Sequence, residues 1–164
     1  HVGFAHPVCA VLGDVAEAAG REAGVTVHRG GTYCCMEGPQ FSTLAESRLY
    51  RSWGASVIGM TNMPEAKLAR EAEICYATCA MVTDYDSWHE EHGTVDVAKV
   101  LAVMKSNGDS ARRFVEALIA AFPRQHEPCP IGSDRALDTA VMTRKDLRDP
   151  ALVAKLKVIA GRVL

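Results

Sequence analysis

Ser56-Val57-Ile58-Gly59-Met60-Thr61-Asn62-Met63-Pro64 decides the fold class of this chain. Residues 56–60 read as a short apolar strand, and Pro64 suits the first turn of a helix that should reach about residue 72. Ile74-Cys75-Tyr76-Ala77-Thr78-Cys79-Ala80-Met81-Val82 then forms the longest continuous apolar run. A run of that length and composition is expected as a central strand buried on both faces. Strand, helix and strand in this order imply an α/β fold with a largely parallel or mixed β-sheet.

The same alternation extends outward in both directions. Residues 8–23 carry helical spacing stopped at Gly24, and Val25-Thr26-Val27-His28 reads as a strand. After the Gly30-Gly31 break, residues 32–36 are again extended. Gly38-Pro39 continues neither element, so residues 37–41 should form a loop. Ser42 or Thr43 then caps a helix that runs to Trp53 and ends at Gly54. Downstream, residues 95–121 are helical, with an interruption expected near Asn107-Gly108. Pro123, Pro128 and Pro130 make an irregular link, and Pro150 precedes a final amphipathic helix to the chain end. No repeat or second domain is visible, so residues 1–164 are expected as one domain.

Composition fits an ordinary folded domain: of 164 residues, 48% are hydrophobic and 23% charged, with a net charge of −2. No dense Lys/Arg stretch appears, which argues against nucleic acid and anionic membranes as partners. No apolar run approaches the roughly 20 residues that cross a bilayer. The chain opens on His1, not Met, which suggests a processed product or a piece of something longer. Six cysteines occur, none in a C-x-x-C pair and none with a zinc-like His spacing. On a strand, Cys75 and Cys79 would lie about 13 Å apart, too far to bridge each other. Small buried thiols in a reducing cytoplasm account for all six, and no metal site is expected.

Three polar loops follow from this layout: residues 37–42, residues 60–65 and residues 83–86. Loops at the ends of neighbouring strands meet at one edge of an α/β sheet, where ligands bind. The third carries Asp84-Tyr85-Asp86, two carboxylates two residues apart that can turn into one pocket. There they can accept hydrogen bonds from amino groups, and one can hold a proton for a leaving group. Ser42 and Thr61 offer hydroxyls and helix-start amides to an anion. Phe41 offers an aromatic face and Met60 a soft apolar contact. Each residue also has an ordinary structural reading as a turn, a cap or core. The His89 and His92 side chains read as a solvated face.

At these same loops the chain resembles the methylthioadenosine phosphorylase branch of the trimeric purine nucleoside phosphorylase family. The matching text is Met36-Glu37-Gly38-Pro39-Gln40-Phe41-Ser42, Ala45-Glu46-Ser47, Trp53-Gly54-Ala55 and Ile58-Gly59-Met60-Thr61-Asn62-Met63-Pro64-Glu65. It continues through Ala69-Arg70-Glu71-Ala72 and Ile74-Cys75-Tyr76-Ala77 to the acid pair. Order and spacing are kept from His1 to about Lys105, and the last forty residues match only loosely.

The resemblance implies a nucleoside phosphorylase fold, a mixed β-sheet flanked by helices and here lacking its N-terminal half. It implies phosphorolysis of 5′-methylthioadenosine to adenine and 5-methylthioribose-1-phosphate, with inorganic phosphate as co-substrate and no cofactor. By resemblance Asp84 bonds purine N7 as the acid, and Asp86 accepts from the exocyclic amine. A closed apolar pocket would keep such an acid protonated. Phe41 stacks near the base, Met60 contacts the ribose, and Ser42 and Thr61 hold phosphate. Val97, Val100 and Leu101, a core stripe by spacing alone, become the wall for the methylthio group.

His1 matches a histidine that the family lends to a neighbouring subunit, which implies a homotrimer. The 6-oxopurine relatives carry Glu at the place of Ser42 and Asn at that of Asp84, so the acid pair favours a 6-amino purine. The family's upstream Gly-rich phosphate loop has no counterpart in these residues. Phosphorolysis of methylthioinosine or ordinary purine nucleosides, or a non-catalytic fragment of the fold, are the competing expectations.

Overall fold

Two short strands, β1 (Tyr33–Cys35) and β2 (Val57–Gly59), pair in parallel with Tyr33 opposite Val57 and Cys35 opposite Gly59. The computed structural model describes residues 1–89 and 97–164. In chain order the helices are α1 (Ala10–Glu22), α2 (Leu44–Ser52), α3 (Asn62–Glu71), α4 (Val97–Ala121) and α5 (Pro150–Ala160). Short 3-10 turns occur at Asp86–Trp88, Ser133–Arg135 and Lys145–Leu147. Among the described residues, no helix is long and apolar enough to cross a membrane.

Two compact units are formed, one from His1–Asp14, Met63–Thr78 and Pro123–Leu164, the other from Val15–Asn62 and Cys79–Phe122. The second holds the parallel ladder and the α2 crossover between its strands. The Ser56 and Val57 amides donate to Thr32 O (2.8 and 3.2 Å), and the Met36 amide donates to Gly59 O (2.9 Å), so pairing runs slightly past both strand ends. Ser56 Oγ accepts from the Thr32 amide at 3.1 Å. A Cβ at residue 31 would lie 2.7 Å from that oxygen, and Gly31 has φ +107°, so glycine is required at this position. The α2 cap is Thr43: its hydroxyl accepts from the Glu46 amide, while the Glu46 carboxylate accepts from the Thr43 amide, a reciprocal capping box.

Four sequence expectations need correction. Residues 25–28 form no strand: the Val25 amide bonds back to Gly20 O (3.1 Å), and Val25 and Val27 lie against Gly20 of α1. An extended segment with one face on a helix alternates at the same period as a strand. The 74–82 run is not a central strand. A strand needs ladder partners, and the only ladder among the described residues joins β1 and β2. Ile74, Met81 and Val82 are accordingly exposed.

Helix α4 runs unbroken through Asn107-Gly108, its expected start at residues 95–96 lying outside the described residues. Asn107 Nδ2 donates to Val82 O at 3.2 Å, so this residue ties the helix to the preceding segment instead of ending it. Helix α5 stops at Ala160, short of Leu164. Among the described residues the sheet is parallel, within the largely parallel or mixed sheet that the strand–helix alternation implies.

In the first unit, Arg162 organises a carboxylate pair. Its Nε donates to Glu73 Oε2 at 2.8 Å and its Nη2 lies 2.6 Å from Asp138 Oδ1. Glu73 also accepts from the Leu137 amide at 2.9 Å and holds a left-handed backbone at φ 58°. The Arg162 hydrogen bond, helped by the Leu137 amide, holds the Glu73 carboxyl below its ordinary value of 4.5. The stability this gives is fully present above that ordinary value and is lost as pH falls through the lower folded value. Glu73→Gln is therefore expected to lower the thermal midpoint at neutral pH and to remove part of the loss seen on acidification below about pH 4. Thermal melts from pH 7 to pH 2.5 check this, and an unchanged acid limb in the variant would contradict it.

Candidate active site

Both parallel strands end toward the same edge of their ladder, so the loops after β1 and β2 leave side by side. The first supplies Phe41, exposed, and Ser42, buried just before the α2 cap. The second supplies Met60, half-buried, and Thr61, exposed one residue before α3 begins. A Cβ at residue 38 would lie 2.7 Å from Met60 Sδ, so Gly38 lets the Met60 thioether reach the first loop. The Ser42 hydroxyl points to Met36 Sδ at 3.5 Å.

The third loop joins them through one hydrogen bond: Ser87 Oγ donates to Ser42 O at 3.0 Å. Nothing in the sequence singles out Ser87, because its role depends on a pairing 45 residues away in the chain. Asp84 is tied by its own loop, with Oδ1 accepting from the Asp86 amide (2.8 Å) and Oδ2 from the Thr83 hydroxyl (2.6 Å). Asp86 holds a left-handed backbone at φ 59°, a conformation that side-chain-bearing residues seldom adopt outside constrained turns. Its charge reaches the Tyr50 phenol on α2, whose pKa is raised by burial first and then by Glu46, Cys34 and Asp86.

An aromatic and cationic group that the sequence did not reveal lies beside the acid pair. The Arg51 guanidinium sits 3.5 Å above the Trp88 ring. Tyr85, Trp88 and His89 stack on one another at 4.7–6.3 Å between centroids. His89 is half-buried in that stack, against the expectation of a solvated face. His92 lies outside the described residues.

The remaining candidates are placed less closely. Asp84 is exposed, not enclosed in an apolar pocket by the described residues. Val97 and Leu101 are exposed on the first turns of α4 and Val100 is half-buried, so the stripe is not packed as core. His1 is exposed and belongs to the other unit, where its amino group donates to Ala140 O at 3.0 Å.

The cysteines also differ from expectation. Cys79 is exposed, and Cys9, Cys75 and Cys129 gather in the first unit with all three sulfurs within 4.8 Å. Burial pushes the Cys75 thiol up to about 12, with Cys129 and Cys9 adding to it. Burial acts the same way on Cys129, but the Ser133 hydroxyl, the Ser133 and Ile131 amides and Cys75 outweigh it and bring it down to about 7. Sequence spacing hides this cluster because its members come from three distant segments.

A family model described as the phosphorylase superfamily matches residues 1–120. The chain belongs to the phosphorylase superfamily. Its helices and small parallel sheet form a phosphorylase-superfamily fold. The S-methyl-5′-thioadenosine phosphorylase of Cereibacter sphaeroides is 62% identical over 164 residues, all of this chain and 57% of that protein. A methylthioadenosine phosphorylase crystal structure from an Antarctic soil metagenomic library superposes with a TM-score of 0.86 at 38% identity, covering 97% of this chain and 56% of that one. The methylthioadenosine phosphorylase of Schistosoma mansoni in complex with adenine gives a TM-score of 0.75 at 28% identity, covering 90% of this chain and 57% of that one. The chain thus spans little more than half the length of the superfamily members it matches.

Proposed function

We propose that this chain serves the phosphorolysis of 5′-methylthioadenosine to adenine and 5-methylthioribose-1-phosphate. The observation that carries the reading is the Ser87–Ser42 hydrogen bond, which brings the acid pair to the hydroxyl-bearing loop at the carboxyl edge of the strands. High identity to a methylthioadenosine phosphorylase supports the same substrate. In the reaction an oxygen of inorganic phosphate bonds to the anomeric carbon as the carbon–N9 bond breaks. The bonding pair departs with the base, and the sugar passes through an oxocarbenium-like state.

Asp84 supplies or shares a proton at purine N7, which neutralises the leaving base. Asp86 accepts from the exocyclic amine, a contact that a 6-oxo base would not offer. Phe41 stacks on the base and Met60 packs on the ribose. Ser42 and Thr61 donate hydroxyl hydrogens to phosphate, and Val97, Val100 and Leu101 wall the methylthio group.

The reaction needs phosphate as co-substrate and no further cofactor. One nucleoside phosphorylase domain, a cytoplasmic setting and a homotrimer complete the proposal. In the trimer, His1 of one subunit serves its neighbour's site, and the apolar face of α4 finds cover.

Phosphate-dependent base release from 5′-methylthioadenosine, methylthioinosine, adenosine and inosine tests the reading. The methylthioadenosine rate is expected to lead. Faster cleavage of inosine would overturn the specificity argument. Absence of base release from every substrate would favour a non-catalytic role.

A further inference from the structure

We propose that Cys9, Cys75 and Cys129, all in the first unit, form a thiolate site for a thiophilic closed-shell cation, Zn²⁺ or Cu⁺. Three segments contribute: the residue before α1, the stretch after α3 and the loop before the Ser133–Arg135 turn. Their sulfurs all lie within 4.8 Å of one another, and Cys9 Sγ and Cys129 Sγ are 3.8 Å apart. Two sulfurs each about 2.3 Å from one zinc, at a tetrahedral angle, stand about 3.8 Å apart. Cys9 and Cys129 are buried and Cys75 half-buried, so soft donors dominate a site largely shielded from water.

A second observation points the same way. Gly132 takes a left-handed backbone at φ 66°, and the chain after Cys129 curls so that the Ile131 and Ser133 amides and the Ser133 hydroxyl bond to its sulfur. Ser133 is itself 1% exposed, so its hydroxyl is committed to the site. Donors aimed at a sulfur fix its direction, as outer hydrogen bonds orient metal-binding cysteines. A structural packing of three thiols needs none of them. Binding exchanges the thiol protons for the cation, with no change of oxidation state. Three protein ligands leave a fourth position for water on Zn²⁺, whereas Cu⁺ is satisfied by three sulfurs.

The test uses the full chain, reduced and metal-free. Competition against a chromophoric chelator, run separately with Zn²⁺ and Cu⁺, should show one ion per chain in at least one arm. Cobalt substitution should give sulfur-to-metal charge-transfer absorption. Cys129→Ser should weaken binding at least about tenfold, and Cys79→Ser should leave it unchanged. Ser133→Ala keeps all three sulfurs and should weaken binding about tenfold, the lower end for an outer-sphere partner. This variant keeps the test decisive if a cysteine variant fails to fold. Failure of both ions to bind, equal affinity in Cys129→Ser, or a Cys9–Cys129 disulfide forming in place of the metal complex would each overturn the site. None of these readouts depends on nucleoside turnover.

Discussion

Asp84→Asn is expected to lower phosphate-dependent adenine release from 5′-methylthioadenosine by at least about tenfold, a lower bound set below the roughly 10²–10⁴-fold that a positioned acid contributes. The substitution is nearly isosteric, and the surrounding turn can survive it. The amide oxygen of Asn can still accept from the Asp86 amide, as Oδ1 of Asp84 does at 2.8 Å. Its NH₂ replaces the oxygen that accepts from the Thr83 hydroxyl, and that hydroxyl can rotate to accept instead. What disappears is the capacity to hold and pass a proton at N7. An Asn amide can donate on one side and tolerate a carbonyl at C6, so inosine should gain relative to methylthioadenosine. The measurement is kcat and KM for both nucleosides in wild type and variant. An unchanged methylthioadenosine rate would remove Asp84 from the mechanism. A fall in rate with no relative gain for inosine would separate its acid role from its part in base selection.

Local signals in the chain identified some elements well because their causes are local. The cap of α2 lies within four residues, and Thr43, one of the two caps the pattern offers, forms it with Glu46. Gly31 and Gly38 mark places where the Ser56 hydroxyl or the Met60 thioether comes too close for a side chain. Loops bearing Phe41-Ser42 and Met60-Thr61 follow from strand ends, and the parallel pairing sets them on one edge. The 74–82 run misled because apolarity records burial preference and not hydrogen-bond partners; a strand exists only with a neighbour. The Ser87–Ser42 bond, the Arg51–Trp88 stack and the three-sulfur cluster were illegible for a related reason. Each joins residues far apart in sequence, and no periodicity or motif records such a meeting. Candidate site residues could therefore be named one by one, while the contacts that tie their loops together could not.

Arg70→Ala is expected to cost about 3 kcal/mol of stability and to release the amino-terminal segment. Arg70 is only 5% exposed, a rare position for a guanidinium, and two of its nitrogens donate to main-chain oxygens of that segment. Nη1 reaches Gly3 O and Nη2 reaches His6 O, both at 2.6 Å, and the guanidinium lies 5.7 Å from the Phe4 ring. Hydrogen bonds from a charged donor are worth roughly 1.5–3 kcal/mol each, and removing this one leaves two carbonyls without their partner. Arg70→Lys should recover only part of the loss, since one ammonium cannot reproduce a fork that spans two carbonyls three residues apart. Chemical denaturation gives the stability change, and amide exchange in residues 2–8 reports the release of the segment. The same segment begins with His1, assigned above to a neighbouring subunit's site. On that assignment Arg70→Lys should raise KM for methylthioadenosine more than it lowers kcat. A stability loss without faster exchange near the amino terminus would show that Arg70 acts through packing alone. Unchanged KM in a folded Arg70→Lys variant would detach His1 from substrate binding and leave the loops around Ser42, Met60 and Asp84 to define the site.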